Sequence, residues 1–306
     1  MIYRLGVDGG GTKTEAILVD RSGVVAASQT GPGCNPSLAG PEGAKAVFAE
    51  VVKGLLAPFP SSDPDFSIEA TLMCMAGNPA FWQEFAASLT SFGKVTVVTD
   101  AIPVLQLAAG DGPGLVLHAG TGSFVAARTA DSPEVHYAGG LGWKFGDPGS
   151  GYDIGRRSVV RGLLELQGWK QTSGIGKFLQ EQTGIAEGQA ISRFYYNDSA
   201  SNPKIAQLAA GVLALAAGGD AAARDLVNTS VMDLLDLAHG VAAKLFPKHK
   251  LREIPAGLSG PILTHPFVVE TLTASSALPL KPLTAGPIEG VRQLLTPSLN
   301  LDAERA

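Results

Sequence analysis

The sequence contains a run of glycines beside an acidic side chain close to residue 1. The run Asp8-Gly9-Gly10-Gly11-Thr12-Lys13 directly follows an apolar segment. Consecutive glycines let the backbone approach a ligand closely and point several N–H groups into one concavity, which suits phosphate oxygens. Such a turn alone is more often an ordinary glycine hairpin. Asp8 favours a ligand site, because α/β sheets bind ligands at strand ends and a carboxylate there could hold magnesium through water.

A second glycine turn, Ala119-Gly120-Thr121-Gly122-Ser123, repeats this pattern about 110 residues later. Its two hydroxyl groups could each bond a phosphate oxygen or cap a turn. The first turn lacks the Gly-Lys-Ser/Thr ending of the nucleotide-binding loop that opens a helix, and a strand is predicted after it. Two hairpins could grip one polyphosphate from opposite sides, so the pair predicts such a site more specifically than either turn alone.

Two more acidic residues are candidates for chemistry. Asp100 follows the predicted strand 95–99. Phosphoryl transfer to a hydroxyl needs a carboxylate that orients the hydroxyl and accepts its proton, but Asp100 could instead cap the next helix. Asp147 lies in the glycine-rich stretch 139–151, where it could accept hydrogen bonds from sugar hydroxyls or simply be a turn aspartate. So many glycines favour close approach to a ligand, with a flexible hinge linker as the alternative.

The apolar pattern predicts the elements that position these residues. Predicted strands cover residues 2–7, 15–19, 24–27, 68–75, 95–99, 114–118, 124–128, 135–138 and 254–259, and predicted helices cover 40–56, 80–92, 101–109, 152–167, 205–217, 221–246, 266–275 and 287–295. Strand, glycine turn, strand, polar turn and strand occur twice in this order. The duplication predicts two related α/β domains that face each other, with a boundary near 111–113.

The composition is that of a globular protein with a substantial core. Hydrophobic residues make up 45% and charged residues 17% of the 306 residues, and the formal net charge is −5. Without a run of Lys and Arg, the chain lacks the basic stripe that nucleic-acid binding requires. Cys34 and Cys74 are too few for a disulfide framework, and both are expected to be buried. No apolar segment approaches the roughly 20 residues that cross a bilayer, so a soluble cytoplasmic protein is expected.

Four motifs occur together in the order and spacing of one known family. They are Val7-Asp8-Gly9-Gly10-Gly11-Thr12, Asp100-Ala101, Gly120-Thr121-Gly122-Ser123 and Gly146-Asp147-Pro148-Gly149-Ser150-Gly151. Nearly the whole chain thereby resembles the N-acetylglucosamine kinase branch of the actin-like, hexokinase and Hsp70 ATPase superfamily, also labelled the BadF/BadG/BcrA/BcrD ATPase family. The resemblance implies an α/β fold of two ribonuclease-H-like domains, 1–112 and 113–306, with ATP and sugar in a cleft between them. It leaves open that the last helix packs back on the first domain.

The resemblance also implies roles for individual residues. Asp100 is the expected catalytic base, and Asp8 is expected to hold Mg²⁺ through water. The residues expected to contact ATP are Gly9, Gly10, Gly11, Thr12, Lys13, Thr121, Gly122, Gly260 and Thr264. The residues expected to contact the sugar are Asn35, Asp100, Ser123, Gly140, Leu141, Gly142 and Asp147. Because relatives are often dimers, a homodimer is expected, with neither nucleic acid nor membrane as a partner.

The implied activity is ATP-dependent phosphorylation of an amino sugar, glucosamine or N-acetylglucosamine, at the 6-hydroxyl. Vertebrate enzymes of this branch have Asn and Glu where Phe124 and Pro148 stand here, which argues against an acetylated sugar and leaves glucosamine, another hexose or a related polyol. One alternative is an ATPase activator of a dehydratase, but such proteins hold an iron–sulfur cluster with cysteines of the second domain, and Cys34 and Cys74 precede it. Another alternative is a sugar or nucleotide sensor of the same fold without turnover, although Asp100 and both turns are intact.

Overall fold

The structure is a computed structural model that describes residues 1–59, 66–132, 134–198 and 201–296. The chain folds into two compact units. The first unit comprises Met1–Gly110 together with the C-terminal segment from Ala285, and the second comprises Asp111–Thr284. Each unit contains one five-stranded sheet.

Strands and helices follow one another in both units. The first unit contains β1 (Ile2–Gly9), β2 (Lys13–Asp20), β3 (Val25–Pro32), α1 (Pro36–Ala39), α2 (Pro41–Leu56), β4 (Ser67–Met75), α3 (Pro79–Ala87), β5 (Lys94–Thr99) and α4 (Ala101–Ala109). The second contains β6 (Gly114–Ala119), β7 (Ser123–Arg128), β8 (Val135–Gly139), α5 (Gly151–Leu166), α6 (Gly174–Thr183), α7 (Gly188–Tyr196), α8 (Ser201–Ala217), α9 (Ala221–Leu245), a 3-10 helix at Leu251–Glu253, β9 (Ala256–Ser259), α10 (Gly260–Leu263), α11 (Pro266–Ser275) and β10 (Leu280–Pro282). The chain then returns to the first unit with α12 (Pro287–Leu295).

The first sheet has the strand order β3-β2-β1-β4-β5. β1 pairs antiparallel with β2 and parallel with β4, and β4 pairs parallel with β5. The register places Asp8 beside Cys74 and Cys74 beside Val98, so the carboxyl ends of β1, β4 and β5 lie at one edge. Asp100 follows β5 directly and lies at the same edge. Because α/β sheets bind ligands at the carboxyl ends of parallel strands, this edge is the candidate site of the first unit.

Alternation along β1 sends successive side chains to opposite faces of the first sheet. Leu5 and Val7 belong to the larger core, together with Phe48 of α2 and Trp82 of α3. A smaller cluster covers the other face and consists of Ile17, Val19, Cys74, Val291 and Leu295. Since Asp8 is paired with Cys74 in a parallel register, its side chain lies on the face that α12 covers.

The second sheet has the order β10-β9-β6-β7-β8. β6 pairs antiparallel with β7 and parallel with β9, β7 pairs antiparallel with β8, and β9 pairs parallel with β10. Leu115 and Leu117 of β6 pack with Val231 and Leu234 of α9 in the core of this unit. Both sheets therefore consist of a three-stranded antiparallel meander extended by two parallel strands. This duplicated topology confirms the α/β fold class predicted from the sequence.

Several element boundaries differ from the predicted ones. The predicted helix 80–92 is too long, because α3 ends at Ala87 and Ser88 Oγ donates to the Phe85 carbonyl oxygen. The sequence did not predict α1, α6, α7, α10 or β10. α1, α10 and β10 have only three or four residues over which an apolar period could show. Within the described ranges, no helix has both the length and the apolar character needed to cross a membrane.

Helix α12 belongs to the first unit, whereas the predicted second domain extended to residue 306. Gly290 lets the helix approach α4, because a Cβ at this position would collide with the carbonyl oxygen of Pro103. At the other end of α12, Arg4 of β1 donates from Nη1 to the carbonyl oxygen of Leu295 at 2.6 Å. The resemblance left open that the last helix packs back on the first domain, and these contacts show α12 in that position.

Candidate active site

The first glycine turn joins β1 to β2 and is held by backbone hydrogen bonds. Gly10 donates to the Lys13 carbonyl oxygen at 2.9 Å, and Cys34 N–H donates to the Gly10 carbonyl oxygen at 3.1 Å. Gly33 was not predicted as a site residue, yet a Cβ there would collide with the carbonyl oxygen of Gly11. The strand that follows the turn agrees with the expectation that this is not a helix-opening phosphate loop.

Neighbouring elements limit what the residues of this turn can do. A Cβ on Gly9 would lie 2.5 Å from Cε of Met75 and 2.7 Å from Sγ of Cys34, so a larger residue there would require these side chains to move. The ammonium group of Lys13 forms an ion pair with Oε2 of Glu15 at 2.7 Å, and the side chain is half exposed. A phosphate would therefore meet a lysine whose charge is shared with Glu15.

Asp8 and Asp100 are two buried carboxylates at the same edge of the first sheet. The pKa of Asp8 is raised from 3.8 to about 7, first by burial and then by the negative charges of Asp100 and Glu15, while the charge of Lys13 lowers it. Burial likewise raises the pKa of Asp100 to about 6, partly offset by the backbone N–H groups of Asp100 and Ala101. Near neutral pH, this edge can therefore exchange protons with a ligand.

The helix-capping alternative for Asp100 is not observed. Asp100 occupies the N-cap position of α4, but its backbone is helical and its side chain makes no capping hydrogen bond. A typical N-cap residue has extended backbone angles and accepts a bond from the second or third N–H of the helix. The structure therefore leaves the carboxylate available for another role.

Asn35 lies just beyond β3 and caps the short helix α1. Its Oδ1 accepts a hydrogen bond from Ser37 N–H at 2.9 Å. Gly77, which follows β4, has φ of +92°, and a Cβ there would lie 2.6 Å from this same oxygen. Since the described residues provide no partner for Nδ2 of Asn35, its amide can act toward a ligand as a donor.

Both cysteines are buried near the acidic edge. The pKa of Cys34 is raised by burial and by Asp8, against a hydrogen bond with Thr14, and the pKa of Cys74 is raised by burial, Asp8 and Asp100. Thiols with raised pKa values stay protonated and are poor metal ligands. In the described part of the chain, no group of three or more His, Cys, Asp or Glu side chains could hold a metal ion.

The second glycine turn joins β6 to β7 and is bonded to the first residues of α5 and to the loop before them. Gly151 N–H donates to the Gly120 carbonyl oxygen at 2.8 Å, and Tyr152 N–H donates to that of Thr121 at 3.2 Å. Ser123, predicted as a sugar contact, donates from Oγ to the Pro148 carbonyl oxygen at 2.6 Å. The turn and the loop thus form one bonded cluster within the second unit.

Asp147 lies at the centre of this cluster, with only 4% of its surface exposed. Its Oδ1 accepts a hydrogen bond from Gly142 N–H at 3.0 Å, and a Cβ on Gly122 would lie 2.9 Å from its Oδ2. Burial raises the pKa of Asp147, while the N–H groups of Gly142 and Leu141 lower it. The structure therefore brings Asp147 together with the predicted sugar residues Gly140, Leu141 and Gly142, and the side chain of Leu141 is exposed.

Phe124 is the buried central ring of an aromatic stack. Its ring lies 4.9 Å from that of His118 and 4.7 Å from that of Tyr137, with nearly parallel planes in both cases. Burial lowers the pKa of His118 to about 4, and its Nδ1 lies 3.1 Å from Oγ of Ser259. These contacts give His118 a structural role in the second unit. Phe124 therefore acts on its surroundings by packing.

The third predicted turn begins α10. Gly260 has φ of +86°, and a Cβ there would collide with the carbonyl oxygen of Ala119, next to the second glycine turn. Thr264 donates from Oγ1 to the Gly260 carbonyl oxygen at 2.9 Å. Gly260 therefore lies against the end of β6, and Thr264 completes the last turn of the short helix.

Comparison with known proteins identifies the family. Residues 5–260 match the model of the BadF/BadG/BcrA/BcrD ATPase family, and the chain belongs to this family. A relative from Clostridium acetobutylicum, named N-acetylmuramic acid/N-acetylglucosamine kinase, is 24% identical over 82% of each chain. Another from Dictyostelium discoideum, named N-acetyl-D-glucosamine kinase, is 27% identical over 79% of each chain.

Solved structures share the fold. A candidate N-acetylglucosamine kinase from Chromobacterium violaceum superimposes with a TM-score of 0.76 at 25% identity, covering 96% of this chain and 99% of that one. A ROK family glucokinase from Streptomyces griseus has a TM-score of 0.53 at 14% identity, with 95% and 97% coverage, and supports the fold alone. The family resemblance inferred from the four motifs is confirmed.

Proposed function

We propose that this protein is an ATP-dependent kinase that phosphorylates an amino sugar, glucosamine or N-acetylglucosamine, at its 6-hydroxyl. The observation that carries the proposal is the pair Asp8 and Asp100, two buried carboxylates with raised pKa values beside a glycine turn. The kinases named among the relatives support the substrate class. ATP is the phosphoryl donor that the ATPase family implies.

Asp100 is the catalytic base of the proposed reaction. A base works best when its pKa lies near the operating pH, and the pKa of Asp100 is about 6. At neutral pH the carboxylate is mostly ionised and can accept the proton of a sugar hydroxyl as its oxygen attacks phosphorus. Helix α4 begins directly after Asp100, so the base is placed by a regular element.

Asp8 fits the role of holding magnesium through water. Among the described residues, no hydrogen-bond donor is assigned to its buried carboxylate, so the oxygens remain able to bind a cation or its waters. Magnesium usually retains several waters and takes few protein oxygens, which agrees with a single acidic side chain. When bound, this cation would neutralise negative charge on the ATP phosphates.

The glycine turns are the proposed phosphate contacts. In the first unit these are Gly9, Gly10, Gly11, Thr12 and Lys13, and in the second they are Thr121 and Gly122. The backbone of the glycine residues can come close to a phosphate because glycine carries no side chain. Gly260 and Thr264 are the residues proposed to contact the adenosine part of ATP.

Three groups are proposed to contact the sugar: the side-chain amide of Asn35, the carboxylate of Asp100 and the cluster around Asp147. The free Nδ2 of Asn35 is a donor, so it suits a hydroxyl or carbonyl oxygen of the sugar. Asp147 and the backbone of Gly140, Leu141 and Gly142 offer the complementary groups. Ser123 is bonded to the Pro148 carbonyl oxygen, and its proposed sugar contact would use its oxygen as an acceptor.

A coupled ADP-release screen tests this function. Purified protein is assayed with magnesium and ATP on glucosamine, N-acetylglucosamine, glucose, mannosamine and the muramic sugars, with Asp100→Asn as the matched control. We expect sugar-dependent ADP release with an amino sugar, and phosphorus–proton coupling in the NMR spectrum of the product assigns the phosphate to carbon six. Activity with none of the sugars would contradict the proposal and favour a sensor of the same fold.

A dehydratase activator is the weaker alternative. Such a protein needs cysteine thiolates for its iron–sulfur cluster, whereas Cys34 and Cys74 are buried, have raised pKa values and lie in the first unit. A purified protein with brown colour and iron would reverse this judgement. The homodimer stays a prediction, and light scattering of the full chain measures it.

A further inference from the structure

The loop that carries Asp147 is fastened to the long helix α9 by one buried hydroxyl group. Gly149 N–H donates to Oγ of Ser230 at 3.1 Å, and Ser230 lies fully buried in the middle of α9. Ser230 donates its own proton to Oδ2 of Asp153 at 2.6 Å. Because a hydroxyl has a single proton, this second bond turns the lone pairs of Ser230 toward Gly149.

Asp153 is itself held firmly in the first turn of α5. Its carboxylate accepts hydrogen bonds from Arg157 Nε at 2.8 Å and Arg156 Nη2 at 3.0 Å. Its backbone N–H donates to Oγ of the N-cap residue Ser150 at 3.0 Å. Charge-assisted bonds of this kind are shorter and stronger than neutral ones. The direction of the Ser230 hydroxyl is therefore set by a fixed acceptor.

Gly149 can only meet Ser230 because it is a glycine. Its φ is +76°, and a Cβ there would lie 3.0 Å from Cβ and from Cδ2 of Leu234, one turn after Ser230 on α9. The loop thus approaches the surface of α9 as closely as its backbone allows. The same loop reaches the second glycine turn through Gly151 N–H, which donates to the Gly120 carbonyl oxygen at 2.8 Å.

We propose that Ser230 and Asp153 are positioning residues for the sugar site: they fix the loop 146–151, and with it the placement of Asp147 relative to the second glycine turn. Neither residue belongs to a sequence motif, and Ser230 is far from the loop in sequence. For its effect on the sugar, this inference rests on the proposed kinase function. The fixation of the loop is a property of the second unit that can be measured without catalysis.

Ser230→Ala is the direct test. The substitution leaves Gly149 N–H and one oxygen of Asp153 without their buried partner. We expect the KM for the sugar to rise about tenfold, the size of one lost buried hydrogen bond, with less than about a threefold change in the KM for ATP. Ser230→Cys fills the same space with a weak hydrogen-bonding group, so it tests the same bond without a new void, should alanine prevent folding.

Ser158→Ala is the matched control. Ser158 is another fully buried serine of the second unit, and it donates from Oγ to the Gly155 carbonyl oxygen at 2.7 Å inside α5. Its loss should lower stability to a similar degree while leaving both KM values unchanged. An equal rise of the sugar KM in Ser158→Ala would show that general destabilisation is responsible, and the positioning role would be wrong.

Hydrogen–deuterium exchange of the ligand-free variants separates this inference from the kinase proposal. We expect peptides that cover 142–152 to exchange at least tenfold faster in Ser230→Ala than in wild type or Ser158→Ala. If the wild type phosphorylates no sugar, the proposed function fails, while the exchange result still decides whether the pair holds the loop. Unchanged exchange in 142–152 for both Ser230 variants would overturn the inference.

Discussion

Replacing Asp8 by asparagine is expected to make the ligand-free protein more stable at alkaline pH. Asp8 is 9% exposed, and its pKa is raised from 3.8 to about 7, first by burial and then by Asp100. The folded state therefore resists ionisation of this carboxyl, whereas the unfolded chain ionises it freely near pH 4. Wild-type stability is complete below the unfolded pKa of 3.8 and falls as pH rises to about 7.

The size of the effect follows from the two pKa values of Asp8. At about 1.4 kcal/mol per pKa unit, the raised pKa of Asp8 lowers the stability of the folded protein by about 4 kcal/mol at pH 8 and by about 1.7 kcal/mol at pH 5, relative to low pH. Asparagine is also a buried polar group, but its cost does not change with pH. Between pH 5 and pH 8, Asp8→Asn should therefore gain about 2–3 kcal/mol relative to wild type.

Urea denaturation at several pH values between 5 and 8 measures this difference, with nucleotide and magnesium absent. Asp225→Asn on the exposed side of α9 is the control, because removal of a solvated charge should shift stability by less than about 0.5 kcal/mol at any pH. A stability difference between Asp8→Asn and wild type that stays constant across this range would refute the reasoning. So would a variant that loses stability relative to wild type as pH rises.

Two further predictions concern the same edge and turn. At saturating ATP, kcat/KM for the sugar should fall about tenfold per pH unit below about pH 6. The reason is that Asp100 must be ionised to accept a proton, and its pKa is about 6. A coupled assay at constant ionic strength measures this pH profile. A profile flat to pH 5 would contradict the base assignment. Gly33→Ala should raise the KM for ATP, because its Cβ would collide with the Gly11 carbonyl oxygen. Gly240→Ala is the control, because a Cβ on this residue of α9 would meet no other atom within 4 Å. This control should only stabilise the protein, by up to about 1 kcal/mol in urea denaturation. Equal ATP KM values for the two glycine variants would count against the first turn as a phosphate site.

The sequence predicted the strands that end at candidate catalytic residues better than it predicted the residues that hold the site in place. Asp8 and Asp100 were predictable because each follows a short apolar segment, and a strand end in an α/β sheet is a local feature that the apolar pattern marks. The duplication was predictable for the same reason, because strand, turn and strand recur in order. The packing of α12 on the first unit was left open, since no local pattern specifies which sheet a helix covers.

Residues that act across long sequence separations were missed. Gly33 and Gly77 support the first turn and Asn35, and each looks like an ordinary turn glycine until the strands beside it are paired. Ser230 looks like one polar residue in an apolar helix, and its bonds to Gly149 and Asp153 span 81 and 77 residues. The backbone angles were also needed to reject the helix-capping role of Asp100, because the aspartate side chain suits both an N-cap and a catalytic base.

The burial of Asp8 and Asp100 connects stability with binding. A fold that only had to be stable would replace Asp8, since its ionised form costs the ligand-free protein about 4 kcal/mol at pH 8. A cation bound at this edge would favour the ionised form and so remove part of this cost. Because a ligand that binds only the folded state stabilises it, the same two carboxylates that weaken the ligand-free first unit would strengthen the liganded one. The raised pKa values of Asp8 and Asp100 therefore agree with the cation and hydroxyl site proposed above.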